Sequence, residues 1–422
     1  MQRNVLMIAF HFPPIKGSSG IQRTLKFSQY LPSFGWHPIV LSANERAYES
    51  VSQEQMGDIS PYTIVRRAFA LDTKQHLSIN GRFLEFLAIP DRWISWIFGG
   101  VIQGLLICRK YKPLIIWSTY PIATAHLIGY VLHRLTGLPW IADLRDPMAQ
   151  DGYPESPMQW KSFKWIEDRI ALSASAICFT SPSAIVDFIS KHEAVLDINK
   201  LHLIENGYDE DSFKEADNYI SLRPPNKNRP ITLLHSGIIY PSERDPRPFF
   251  KALSTLKNNG LICDAPLNII LRATGHDDLL AQFIASHGLQ DIIKLAPPLP
   301  YVEALAEMLS VDGLILLQAA NCNYQIPAKL YEYLRAGRPI IGLTDKHGDT
   351  ASILSRFPAH RVCDIESCEE IRATLVFFIS QIRSEKRNCQ SIPDLDEYSR
   401  RAKTKILANL FDTTASRNII GT

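Results

Sequence analysis

Four short stretches carry residue types suited to chemistry on an anionic ligand. The first is His11-Phe12-Pro13-Pro14-Ile15-Lys16-Gly17-Ser18-Ser19-Gly20, followed by Ile21, Leu25, Ser28 and Leu31 at helical spacing. Glycines let the backbone pass close to a ligand, and the following helix offers free N–H groups and a positive dipole end to an anion. The spacing is not G-x-G-x-x-G, which disfavours a nicotinamide-cofactor site, and an ordinary surface turn is the competing account. The second stretch is Pro139-Trp140-Ile141-Ala142-Asp143-Leu144-Arg145-Asp146-Pro147. Charged residues directly after an apolar run belong at a strand's carboxyl mouth, where Asp143, Arg145 and Asp146 either do chemistry or pair with one another.

The third and most informative stretch runs from Gln325 to Gly342. Pro327 suits a helix's first turn, Leu330, Tyr331 and Leu334 make an inner face, and Gly337 with Pro339 ends the helix. Lys329 and Glu332 then share one side near the helix start. A cation there can neutralise a diphosphate, and a carboxylate one turn on can accept hydrogen bonds from a ribose diol; a plain surface salt bridge is the alternative. The fourth stretch, Leu233-Leu234-His235-Ser236-Gly237 and onward to Pro246, is a strand running into a glycine and a loop whose single arginine, Arg244, can reach a phosphate. Solvent exposure is the commoner fate of a loop arginine.

Alternating short apolar runs and amphipathic segments must position these residues. Strands are expected at 5–10, 38–42, 114–118, 140–142, 176–180 and 201–204, and again at 231–234, 267–272, 292–295, 313–317, 339–343 and 361–363. That pattern is the α/β class, two doubly wound parallel sheets with covering helices, joined by the Pro/Asn/Lys-rich linker 223–230. Residues 397–411 read as a final helix with Ala402, Ile406 and Leu410 on one side.

Composition supports a folded chain of two or three domains: 422 residues, 46% hydrophobic and 21% charged. With 45 Lys+Arg against 43 Asp+Glu the net charge is +2, which excludes the global basic footprint of a non-specific nucleic-acid binder. Seven scattered cysteines without a C-x-x-C pair argue against a disulfide scaffold and a zinc site and favour the reducing cytoplasm. The apolar run 5–10 is too short for a signal peptide. Residues 93–108, 16 without a charge, are too few to span a bilayer, and 113–133 is broken by Pro121 and two histidines.

Taken together, these stretches resemble the GT-B glycosyltransferases of the family-4 type, over nearly the whole chain. His11-Phe12-Pro13-Pro14 with Gly17 and Gly20 looks like the family's first loop, and Glu205-Asn206-Gly207-Tyr208-Asp209 with Phe213 like its hinge signature. Ser236-Gly237 looks like the start of the donor-binding domain, and Lys329 to Gly342 like the donor-site helix and following strand. Two departures stand out. The family's E-x7-E pair has Glu332 in its second place but Tyr324 in its first, and Arg145 replaces the histidine of the family's His-Asp, so that either Asp146 or Asp143 can be the acid.

The resemblance implies two Rossmann-like domains facing across a cleft: 1–209 for the acceptor, 210–395 for a nucleotide-sugar donor, and a C-terminal helix, 396–422, crossing back to the first. It implies a retaining transfer, without a protein nucleophile, from a nucleotide-diphosphate sugar to a glycan or a polyprenyl- or lipid-linked acceptor in surface polysaccharide or glycoconjugate synthesis. His11, Asp143, Arg145 and Asp146 take the catalytic places, and Gly17, Ser18, Ser19, Gly20, Gly237, Arg244, Lys329 and Glu332 the donor places. No cofactor is expected. No Asp-x-Asp stands where it could hold a divalent ion, so the positive residues are expected to stabilise the leaving diphosphate, with closure about Asn206-Gly207 excluding water.

The expected location is cytoplasmic, peripheral on the membrane's inner face. The segment 82–98 carries the membrane reading: Arg82 and Arg92 flank aromatic and apolar residues up to Phe98, a composition that suits a bilayer surface. The competing account buries Trp93 and Trp96 in the N-terminal core. Two other functions share the implied fold, a nucleotide-sugar epimerase and a degenerate protein that binds a nucleotide sugar or a partner enzyme without catalysis.

Overall fold

The computed structural model describes residues 2–16, 20–53, 55–78, 80, 82–220, 230–241, 243–261, 267–384 and 395–420. The glycine-loop positions Gly17, Ser18 and Ser19, and the linker apart from Pro230, lie outside these. The chain divides into two compact units, Met1–Asn206 with Arg400–Thr422, and Gly207–Ser399.

The first unit holds a seven-stranded parallel sheet: β1 (Arg3–Ile8), β2 (Trp36–Ala43), β3 (Ile64–Ala68), β4 (Ile115–Thr119), β5 (Trp140–Arg145), β6 (Ala176–Phe179) and β7 (Leu201–Leu203). Their order is β3-β2-β1-β4-β5-β6-β7. The second holds six parallel strands: β8 (Ile231–Ser236), β9 (Leu267–Arg272), β10 (Ile293–Ala296), β11 (Gly313–Leu317), β12 (Ile340–Leu343) and β13 (Arg361–Cys363), ordered β10-β9-β8-β11-β12-β13. Central strands such as β4 and β11 are buried along their whole length, because helices cover both faces of each sheet, and this is why they read as unbroken apolar runs.

Two features depart from the sequence expectation. β3 was not foreseen. Its Arg66 and Arg67 interrupt the apolar run, which an edge strand tolerates: Arg67 hydrogen-bonds the Tyr48 hydroxyl at 3.3 Å and Arg66 the Tyr111 hydroxyl at 2.6 Å. The last helix, Arg400–Ile420, packs on the first unit, and of Ala402, Ile406 and Leu410 only Leu410 is buried. Lys403, Thr404, Leu407, Ala408 and Phe411 are buried while Ile406 is exposed. The inward Lys403 lies 2.6 Å from the Glu205 carboxylate, so a satisfied polar residue turns the helix away from the purely apolar face. Phe411 meets the Trp36 ring edge-on at 5.2 Å.

The segment 82–98 is divided in its fate. Trp96 is fully buried, and Trp93 packs against the same core while donating its indole N–H to the Ala47 carbonyl at 2.9 Å. Phe83, Leu84, Phe86 and Phe98 are exposed. Among the described residues no helix is long and apolar enough to cross a membrane.

Candidate functional site

Strand order reverses between β1 and β4 in the first sheet and between β8 and β11 in the second. At such a switch point the loops leaving adjacent strands diverge and open a crevice at the strands' carboxyl ends. In each unit the candidate residues collect at its own switch point.

In the first unit β5 ends in a tight turn. The Asp146 N–H donates to the Leu144 carbonyl at 2.7 Å, and Arg145 between them has φ +61°. A side chain in that region costs roughly 1–3 kcal/mol, so the surroundings must hold it. They do: Thr180 donates both its N–H and its hydroxyl to the Arg145 carbonyl at 2.9 Å. The Arg145 guanidinium donates to the Thr119 hydroxyl at 2.9 Å and to the Gly20 carbonyl at 3.2 Å. Burial brings the Arg145 pKa down to about 10, against the attraction of Asp143, and it stays a cation.

Asp143 is buried and already engaged. Its carboxylate accepts from Arg23 Nε at 2.9 Å and Nη2 at 2.7 Å, and from the Thr119 hydroxyl at 2.8 Å, while Arg145 stands farther off at 3.7 Å. Burial alone would raise its pKa, but the Arg23 guanidinium outweighs it and holds the carboxyl below the usual range. Of the two readings of this stretch, the ion pair therefore fits Asp143, with Arg23 as principal partner and Arg145 as a more distant one. Asp146 is different. It is partly exposed, accepts from the Thr180 hydroxyl at 3.1 Å, and burial pushes its pKa up to about 6 against Thr180 and Arg145. His11 is brought down to about 3 by burial and then by the Arg145 charge, so it is a neutral imidazole at ordinary pH.

In the second unit Gly237 has φ +115°, and a Cβ on it would come within 2.8 Å of Lys329 Nζ. Only glycine both adopts that backbone and lets the ammonium lie this close. Lys329 Nζ is 3.4 Å from His235 Nε2, and His235 Nδ1 is 3.0 Å from the Ile315 carbonyl. The carbonyl fixes the proton on Nδ1, leaving the Nε2 lone pair toward the lysine. Burial, then the Lys329 charge, pushes His235 well below its ordinary pKa. Burial and the Arg244 charge lower Lys329 to about 7, with Glu332 opposing. Lys329 is thus held between a neutral imidazole and the positive Arg244, with Glu332 as the opposing charge.

Arg244 donates to the Ile238 carbonyl and lies over the Tyr240 ring at 5.5 Å. Glu332 is buried on the helix Ala328–Ala336 and accepts from the Tyr301 hydroxyl at 2.8 Å. The two loops that border this crevice are tied together, since the Ala319 N–H donates to the Glu243 carbonyl at 2.7 Å. Tyr324 is exposed on the loop after β11, which Gln318 braces through the Cys322 and Gln325 carbonyls at 2.7 and 2.8 Å.

The structure thus groups His11, Gly20, Asp143, Arg145 and Asp146 in one unit and Gly237, Arg244, Lys329 and Glu332 in the other. Residues missed in the sequence support them: Arg23, Thr119 and Thr180, together with Glu167, whose carboxylate accepts from the Met148 and Ala149 N–H groups at 2.7 and 3.2 Å. Nothing in their spacing marks these four. The loop after β9 was also missed, although Ala273-Thr274-Gly275 follows an apolar strand; Ala273 and Gly275 have φ +55° and +74°, and the Thr274 carbonyl accepts from the Ile239 N–H at 3.0 Å. Among the described residues no group of three or more His, Cys, Asp or Glu side chains is arranged to hold a metal ion.

No protein-family model and no curated protein matches the sequence. Solved structures do. Sucrose-phosphate synthase from Thermosynechococcus elongatus is similar with a TM-score of 0.66 at 14% identity, covering 98% of this chain and 100% of its own. Anabaena HepE in complex with UDP-glucose is similar at 0.65 and 12% identity, with 97% and 99% covered. A putative UDP-N-acetylglucosamine 2-epimerase from Listeria monocytogenes is similar at 0.58 and 12% identity, with 97% and 96% covered. Two parallel α/β sheets, matched over nearly the full length of these chains, give this protein the GT-B fold.

Proposed function

We propose that the chain is a retaining, family-4-like glycosyltransferase that moves a hexosyl group from a nucleotide-diphosphate sugar to a glycan or lipid-linked acceptor, without a metal ion. The observation that carries this reading is the cluster at the second switch point, where Lys329 sits against Gly237 beside Arg244, one helical turn ahead of a buried Glu332. Similarity in fold to a UDP-glucose complex is consistent with a nucleotide-sugar ligand there.

The second unit would hold the donor and the first the acceptor. As the bond between the sugar's anomeric carbon and the diphosphate oxygen breaks, the electron pair goes to the diphosphate, and cations aimed at it should supply the largest catalytic term. Lys329 and Arg244 would supply it, and Glu332 would accept from the ribose hydroxyls. The acceptor oxygen bonds to the anomeric carbon from the face the diphosphate leaves, and its proton passes to the departing phosphate. Asp146 orients that hydroxyl, Arg145 adds a positive contact and His11 an uncharged hydrogen-bonding group. Asp143 holds Arg145 and Thr119 in place. Gly20 is also assigned an anion contact.

Lys329→Ala is expected to lower kcat/KM by on the order of a hundredfold, and Glu332→Ala to raise the donor KM about tenfold, in an assay of donor consumption. Full donor turnover in both variants would refute the donor-site assignment.

A further inference from the structure

The helix Trp96–Tyr111 contains no acidic residue and is apolar around nearly its whole circumference. Such a helix is normally buried on all sides. Here one side is buried: Trp96, Gly100, Gly104 and Ile107 face inward, with Gly100 against Ile128 and Gly104 against Leu132 of the neighbouring helix Thr124–Thr136. The opposite side is uncovered. Phe98 is 71% exposed, Ile102 63%, Leu105 37% and Leu106 55%. At about 100° per residue these four fall in one stripe roughly 100° wide. The backbone of Phe69, itself half exposed, lies against Gly99 at the edge of the stripe.

Cations gather at the end of the same helix. Arg109 continues the stripe, Lys110 and Lys112 follow it, and all three are exposed without an acidic partner among the described residues. Arg66 joins them through the Tyr111 hydroxyl at 2.6 Å.

We propose that this face docks on the surface of an anionic lipid bilayer, with the helix lying in the plane of the interface. Four apolar side chains would enter the boundary between headgroups and acyl chains, while the cations meet anionic headgroups. With 16 residues the helix is too short to span. Charge selects the occupant: a second copy presenting the same face would bring a second set of unpaired cations against the first, whereas an anionic surface neutralises them. Trp93 and Trp96 take no part, being packed in the core. The contact therefore begins at Phe98 and runs toward the C-terminal end of the helix, beyond the segment that composition alone picks out.

Flotation of the full chain with vesicles of phosphatidylcholine alone, or mixed equally with phosphatidylglycerol, tests this without requiring turnover, so its failure leaves the glycosyl-transfer reading standing. The wild type is expected to float with the mixed vesicles. Ile102→Glu with Leu106→Glu should lower partitioning by on the order of a hundredfold. Arg109→Gln with Lys110→Gln should cost roughly tenfold on mixed vesicles and little on phosphatidylcholine. Both variants replace exposed side chains, and an unchanged thermal transition verifies that they fold. A wild type that stays in the soluble fraction, folded variants that float as the wild type does, or a wild-type dimer abolished by Ile102→Glu would each overturn the proposal.

Discussion

At the scale of the residue, Lys329 is the most informative group. Its pKa of about 7 in the free protein means that near neutral pH much of it is uncharged, as the cost of burial beside Arg244. A bound diphosphate favours the ammonium form and raises that pKa. Donor binding should then take up a proton above about pH 7, and affinity should fall as pH rises toward 9, by up to about tenfold per unit. Calorimetry in buffers of different ionisation enthalpy reads the proton uptake, and Lys329→Met should abolish it. Donor affinity that is flat between pH 7 and 9 would contradict the role given to Lys329. The spacing of Lys329 and Glu332 was legible in the sequence because one helix fixes it. The approach of Lys329 to Gly237 and His235 was not, because it joins residues about 90 positions apart through the pairing of β8 with β11.

At the scale of the element, the end of β5 depends on the helix Ile21–Tyr30. Arg23 near its start pairs with Asp143, donates to the Ile204 and Glu205 carbonyls at 2.8 and 3.1 Å, and stacks on Phe27 at 4.9 Å. One side chain thus ties the helix to the mouth of β5 and to the exit of β7. Arg23→Leu takes the two-pronged partner from the buried Asp143 carboxylate, leaving it only the Thr119 hydroxyl and Arg145 at 3.7 Å, and should cost about 3 kcal/mol in urea unfolding. Adding Asp143→Asn should recover part of that loss, because the stranded charge is gone. An Arg23→Leu protein as stable as the wild type would show that the pair does not hold β5.

The sequence marked Asp143, Arg145 and Asp146 as a group by their place after an apolar run, but not which of them is engaged. That is decided by Arg23, which reads as one more polar residue on an amphipathic helix. β3 escaped notice for a related reason: as an edge strand it needs no continuous apolar run, and its arginines find partners in tertiary structure. The inward face of the last helix was likewise set by Lys403 meeting Glu205, a contact that no periodicity displays.

At the scale of the whole molecule, two units each place their polar candidates at the one point where strand order reverses. The alternation of apolar runs announced both sheets, since strands buried on two faces leave an unmistakable pattern. The net charge of +2 fits the proposed site, in which an anion would be met by a few desolvated cations and not by a basic surface. The central claim is transfer. It is tested most directly by incubating the purified chain with UDP-, GDP- and dTDP-sugars and a panel of polyprenyl-phosphate-linked acceptors, and following both by NMR. The account predicts a glycosylated acceptor whose new linkage keeps the donor's anomeric configuration. Donor bound without product, an epimerised sugar nucleotide released without any acceptor, or an inverted linkage would contradict it.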